Sequence, residues 1–241
     1  MKIKNDLSTN YSKKTRNKNS IKFVIIHYTG MQSEIESICK LKDRKSKVSC
    51  HYLINRKGLI TQMVKDNKVA WHAGKSKWKD YSNLNENSIG IELVNKGHEF
   101  GYENFSKDQI SNLVILCKKL QKKYMIKKEN FLGHSDIAPL RKKDPGEKFP
   151  WGKISKYNIG LWHVNSKKKL KLIKKKKIEI LFFKNLNKIG YRYFNIYRRD
   201  KKDKFVIKSF QRRYFPQNVT GKIDIKTFKI SHFLANLSKL A

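Results

Sequence analysis

The 241-residue chain is 39% hydrophobic and 12% aromatic, which supports one large domain, or a medium one with a small companion, around a sizeable core. Its 56 Lys and Arg against 19 Asp and Glu give a net charge of +37, but the lysines are spread throughout and form no stripe interleaved with aromatics, so biased composition explains them better than a dedicated nucleic-acid surface; an anionic polymer would still feel the field. Three widely spaced cysteines, Cys39, Cys50 and Cys117, give no sign of a disulfide framework or a thiolate metal site, and no apolar run approaches the ~20 residues of a membrane span.

In chain order, residues 1–20 are polar and lysine-rich and are expected to form a disordered arm. They hold no apolar stretch of signal-peptide length and no lipoprotein-type cysteine, which read literally places the protein in the cytoplasm. "KFVIIHYT" (22–29) has the β-branched, aromatic make-up of a buried strand. Residues 33–45 carry apolar positions at helical spacing. "CHYLINRKGLITQMV" (50–64) reads as two strands around a turn at Arg56–Gly58, and "NSIGIELVN" (87–95) as another buried strand. Over 106–124, Ile110, Leu113, Val114, Cys117 and Leu120 share one helical face, and Ser106 with Gln109 forms a capping-box pattern. The mixed order predicts an α/β layer fold with a central sheet flanked by helices. Past residue 160 the composition shifts. A basic linker is expected over 161–177, followed over 178–241 by three short helices (178–191, 203–215 and 224–240) that make a small C-terminal module, the last capped by Asp224.

The segment "FLGHSDIAPLRKKDPGEKFPW" (131–151) holds three of the chain's four prolines together with His134 and Asp144. His27 ends a strand that is otherwise apolar. Alone, such a histidine reads as a core imidazole satisfied by a carbonyl. Two imidazoles and a carboxylate from separate loops, however, make the three-ligand zinc set with an open fourth position. Pro139, Pro145 and Pro150 stiffen the segment and reduce the entropy lost in presenting two ligands to one ion.

Five ordered blocks, "VIIHYTG", "SCHYLINRKGLITQMV", "AWHAGKSKW", "NSIGIELVN" and "GHSDIAPLRKKDPGEKFPW", closely resemble the type 2 N-acetylmuramoyl-L-alanine amidase family, related to phage lysozyme-amidases and peptidoglycan-recognition proteins. The match is nearest to enterobacterial zinc amidases acting on murein and 1,6-anhydro-muropeptides. "YNIGLWH" and "FQRRYFPQNVTGKIDIKTF" resemble the outer-membrane member with its C-terminal peptidoglycan-binding-type module. The resemblance implies one zinc ion held by His27, His134 and Asp144, a catalytic domain over 21–160, and monomeric action on peptidoglycan or muropeptides in the cell envelope. Its acidic catalytic residue falls on Glu92, between Ile91 and Leu93 in an apolar strand where burial raises a carboxyl pKa toward that of a general base; a glutamate facing solvent at a strand edge is the plainer reading. Its conserved lysine falls on Lys142, whose ammonium would stabilise a developing oxyanion. Tyr52, Trp71 and His72 lie in blocks that line the family's cleft and are candidate substrate contacts, though a half-buried sheet tyrosine fits Tyr52 equally. His51 points to the sheet face opposite Tyr52, and His98, His163 and His232 have no assigned role. A peptidoglycan-recognition protein without catalysis is the competing reading; it has no need of a full ligand set or of Glu92.

Overall fold

The computed structural model describes residues 3–164 and 175–237. Alternation organises it. In strand β3 (Phe23–Tyr28), Val24 and Ile26 point to one face of a sheet while Phe23 and Ile25 point to the other, and all four are at most 1% exposed. Two buried faces require two covering layers, and the chain supplies them.

The first layer is helix α2 (Lys107–Tyr124). Its stripe Leu113, Leu116, Cys117 and Leu120 packs on Val24, Ile26, Ile89 and Ile91. The expected capping box is present: Ser106 Oγ accepts from the Gln109 N–H at 3.1 Å, and Gln109 Oε1 accepts from the Ser106 N–H at 3.2 Å. A smaller cluster under α1 (Glu34–Lys42) joins Leu41, Cys50, Leu53 and Met63.

The remaining strands assemble around β3. The hairpin β4 (Tyr52–Ile54) and β5 (Ile60–Gln62) is antiparallel, β9 (Ser88–Leu93) lies parallel between β4 and β3, and β10 (Phe131–Gly133) lies parallel on the far side of β3. With β1 (Ile3–Asn5) beside β5, the sheet order is β1-β5-β4-β9-β3-β10. Two small ribbons complete the strands: β2 (Tyr11–Thr15) with β6 (Lys68–Ala70), and β7 (Lys77–Trp78) with β8 (Tyr81–Ser82). The mixed sheet flanked by helices is the expected fold class.

Residues 3–16 are not the loose arm expected from their polarity. β1 extends the main sheet and β2 pairs with β6. Arg16, 8% exposed, donates to the carbonyls of Asp66, Asn85, Glu86 and Ser88. The segment docks through backbone and polar groups, which a hydropathy pattern does not register.

The second layer consists of α5 (Lys175–Ile189), α6 (Asp203–Tyr214) and α7 (Ile225–Leu237), reached after the short helices α3 (His134–Ile137) and α4 (Trp151–Ile154). As expected, Asp224 caps α7, its Oδ1 accepting from the Thr227 N–H at 2.6 Å. Phe182, Phe183, Phe210 and Phe228 share one core with Phe23, Ile25, Leu132 and Trp78 of the sheet side. Burying each phenylalanine contributes roughly 1.5–3 kcal/mol, so the helices and the sheet stabilise each other through one continuous core rather than meeting across a linker. Leu161 is buried, and His163 Nε2 donates to the Tyr214 carbonyl at 2.8 Å; of the linker expected over 161–177, residues 165–174 lie outside the described residues.

Candidate metal centre and active site

Three parallel strands end at one edge of the sheet, where α/β folds place their ligands. His27 is the fifth residue of β3, directly opposite Glu92 on β9. β10 pairs Gly133 with Ile26, so His134, the next residue, emerges beside His27. The Ser135 N–H donates to the Asp144 carbonyl at 2.8 Å and ties the proline-stiffened loop to this point.

Here His27 Nδ1, His134 Nδ1 and Asp144 Oδ2 form a triangle with every edge 3.0 Å. All three residues are buried, at 1%, 3% and 6% exposure. The outer ring nitrogens are committed. His134 Nε2 donates to the Ala73 carbonyl at 3.1 Å, and His27 Nε2 lies 3.1 Å from His72 Nδ1. His72 continues the chain: its Nε2 donates to Ser88 Oγ at 3.3 Å, and Ser88 donates to the Leu84 carbonyl. With protons on both Nε2 atoms, both Nδ1 lone pairs face the Asp144 oxygen. Three lone pairs converging at 3.0 Å repel unless a proton or a metal cation lies between them. Zinc bonds of ~2.0–2.1 Å in a tetrahedron place ligand atoms roughly 3.3 Å apart, so the donor set fits that ion closely.

The protonation states agree. Burial, then the proximity of His134, pushes the His27 imidazole down to about 4, leaving it neutral at physiological pH. Burial raises the Asp144 carboxyl, but contacts with His134 and His27 outweigh it and hold Asp144 well below the usual carboxylate range. Neutral imidazole and ionised carboxylate are the forms a metal requires.

Glu92 sits beside the triangle, 8% exposed, with a buried Oε2 that has no hydrogen-bond partner. Burial, reinforced by the Asp144 charge and only partly offset by Lys142, raises its carboxyl to about 8. A cavity of about 310 Å³ opens over His27, His134, Asp144, Glu92 and Lys142. A shallower depression of about 620 Å³, lined by Trp71, Arg141, Lys142, Arg44 and Lys47, adjoins it.

A family model described as N-acetylmuramoyl-L-alanine amidase (Amidase_2) matches residues 17–147. The chain belongs to the N-acetylmuramoyl-L-alanine amidase family. Among relatives of this amidase, AmiD of Escherichia coli (strain K12) is 34% identical over 229 residues, 89% of this chain and 82% of AmiD. The solved complex of E. coli AmiD with anhydro-N-acetylmuramic acid-L-Ala-D-gamma-Glu-L-Lys matches the fold with a TM-score of 0.78 at 30% identity, covering 94% of this chain and 92% of that one. The crystal structure of AMPDH3 from Pseudomonas aeruginosa matches with a TM-score of 0.79 at 27% identity, covering 95% and 96%.

Of the residues singled out in the sequence, the amidase brings His27, His134, Asp144, Glu92 and Lys142 to one cavity, and Trp71 lines the adjoining depression. Tyr52 sits elsewhere. Tyr52 faces α2, where its hydroxyl donates to Asp66 Oδ1 at 2.6 Å within a cluster that includes Lys123 and Tyr124; it is a sheet-face tyrosine and does not line the cleft. His72, 5% exposed, packs edge-on against His27 and lines both the cavity and the adjoining depression. Its ring occupies the space above Gly90, where a Cβ would come within 2.3 Å of His72 Cγ. On β9, the residues Ser88, Gly90 and Glu92 thus supply in turn an acceptor, a hollow and a carboxylate on one face.

Sequence reasoning missed Arg141. Its guanidinium donates to the carbonyls of Ala73 and Lys75 and holds the turn that carries Gly74, whose φ is +54°. That turn presents the Ala73 carbonyl to His134. The contact joins two backbone segments 68 residues apart, and no local pattern announces it.

Proposed function

We propose that this amidase is zinc-dependent and hydrolyses the amide between the lactyl group of muramic acid and L-Ala of the stem peptide, in peptidoglycan or in anhydro-muropeptides. The observation that carries the reading is the 3.0 Å triangle of His27 Nδ1, His134 Nδ1 and Asp144 Oδ2 with an unpartnered Glu92 carboxylate beside it. The anhydro-muropeptide held by E. coli AmiD in its complex supports the substrate class.

His27, His134 and Asp144 would hold one zinc ion. When bound, zinc polarises the scissile carbonyl and acidifies water. Glu92 accepts the proton of the attacking water and returns it to the alanine amine; the charge of a bound zinc ion beside it would draw its metal-free carboxyl, held at about 8 by burial, toward the ionised form a base requires. Lys142, on the cavity wall, places its ammonium where negative charge develops on the carbonyl oxygen. Trp71 offers an apolar face in the adjoining depression, and the cationic groups of Arg44, Lys47 and Arg141 suit the carboxylates of a muropeptide. Among the described residues no helix is long and apolar enough to cross a membrane.

The test is mass spectrometry of products from intact murein and from anhydro-muropeptides, with and without EDTA. Free stem peptide and intact muramoyl sugar are expected, lost with EDTA and restored by zinc. Release of stem peptide at an unchanged rate from stripped protein would refute the metal dependence.

A further inference from the structure

His134 is bracketed by contacts from the C-terminal helices, none of which touches its ring. Ser209 Oγ of α6 donates to the carbonyl of Ser135 at 2.7 Å. Arg213, one helical turn on, pairs with Asp136 Oδ2, and both side chains are at most 2% exposed. The same guanidinium donates to the Phe131 carbonyl at 2.9 Å and lies 4.0 Å over the Trp151 ring. Tyr191, just past α5, donates to Asp136 Oδ1 at 2.6 Å. Asp136 Oδ2 also accepts from the Gly133 N–H at 2.8 Å. The residues gripped are therefore 131, 133, 135 and 136, on both sides of the ligand.

A buried ion pair seldom gains stability over an apolar replacement, because both charges lose their hydration. What the pair does fix is geometry: both Asp136 oxygens and both terminal nitrogens of Arg213 are engaged, although the buried Arg213 Nε has no partner. Both oxygens of Asp136 are occupied, and the three groups that hold the turn, Arg213, Tyr191 and Ser209, all belong to the helical layer. A metal ligand is sensitive to such support: groups that orient a liganding histidine commonly change metal affinity by about 10–100-fold.

We propose that Asp136, Arg213, Tyr191 and Ser209 are positioning residues through which the C-terminal helices set the angle of His134, so that the metal affinity of the site depends on the helical layer. The inference rests on the metal reading above and extends it to residues that line neither the cavity nor the adjoining depression.

The test uses the full chain. Tyr191→Phe, Ser209→Ala and the double variant each remove a hydroxyl and leave the Asp136–Arg213 charges paired, so they keep the fold where Arg213→Met risks losing it. Tyr52→Phe serves as control, since it removes a buried hydroxyl on the opposite face of the sheet. Zinc affinity is read by competition with a chromophoric chelator, site geometry by the visible spectrum of the cobalt-loaded protein, and stability by melting in EDTA. The double variant is expected to bind zinc at least about tenfold more weakly with an altered cobalt spectrum, and Tyr52→Phe to keep both. Wild-type affinity and spectrum in the double variant, whatever its melting temperature, would overturn the proposal. So would an equal loss of affinity in Tyr52→Phe, which would mean that general stability governs binding. Failure of the unsubstituted protein to bind zinc would instead remove the metal reading itself, and this inference with it.

Discussion

His27 and Glu92 stand directly opposite each other on the parallel strands β3 and β9, so one register brings an imidazole of the His27–His134–Asp144 triangle and a carboxyl with a buried, unpartnered Oε2 to the same edge of the sheet. Separating the two roles is the first experiment. Glu92→Gln should retain stoichiometric zinc and lose about 10²–10⁴ in kcat, the usual worth of a positioned general base. Asp144→Asn should lose the zinc itself. Metal analysis beside a hydrolysis assay distinguishes them, and near-normal turnover by Glu92→Gln would remove it as the base.

The same glutamate gives the metal-free protein a pH-dependent stability. Its folded carboxyl is raised to about 8 from an ordinary 4.5. Between those values the folded state keeps a proton that the unfolded state has released, so stability falls as pH rises through the window and levels off above it. At about 1.36 kcal/mol per unit the accumulated cost is on the order of a few kcal/mol. In EDTA, Glu92→Gln should therefore melt several degrees above wild type at pH 8 and close to it at pH 4.5. Parallel melting curves across that range would contradict the burial argument.

Gly90→Ala drives a Cβ against His72. Overpacking of this kind costs about 1–3 kcal/mol, and the displaced ring can no longer support His27 Nε2. Lower melting temperature and weaker zinc binding are expected together; a variant with unchanged zinc affinity would show that His72 does not orient the ligand.

Trp71 and Tyr52, both candidates from the same sequence blocks, should behave oppositely. Trp71→Ala, at the depression beside the metal triangle, should raise KM by roughly tenfold, the scale of losing one stacked aromatic contact. Tyr52→Phe should leave kcat and KM within about twofold and lower stability by about 1 kcal/mol through the lost bond to Asp66. Steady-state kinetics on a soluble muropeptide decides.

The legible parts of the sequence were those in which a residue type broke its local pattern. An imidazole closing the apolar run before Tyr28, a carboxylate between Ile91 and Leu93, and prolines around Asp144 each stood out against their neighbours, and each proved to lie at the sheet edge. The side of His27 on which His72 lies was not legible, because it depends on a glycine one strand away leaving room for a ring. Nor was the contact of Arg213 with Asp136, 77 residues apart, or that of Arg141 with Ala73, since one more cation in a lysine-rich chain carries no signal. The N-terminal strands were misjudged for a related reason: they attach by carbonyls and amides, and composition reports only side-chain polarity.

Arg16 has a practical corollary. Its four carbonyl acceptors lie just before β6 and at the entry and first residue of β9, and its neighbour His51 packs against His72. Trimming the protein back to its first hydrophobic strand would strip a cation from a dry nest of oxygen atoms a few side chains away from the His27–His134–Asp144 triangle. Anyone shortening this enzyme should cut before Ile3, since a truncation at residue 20 would be felt at the catalytic edge as well as at the terminus.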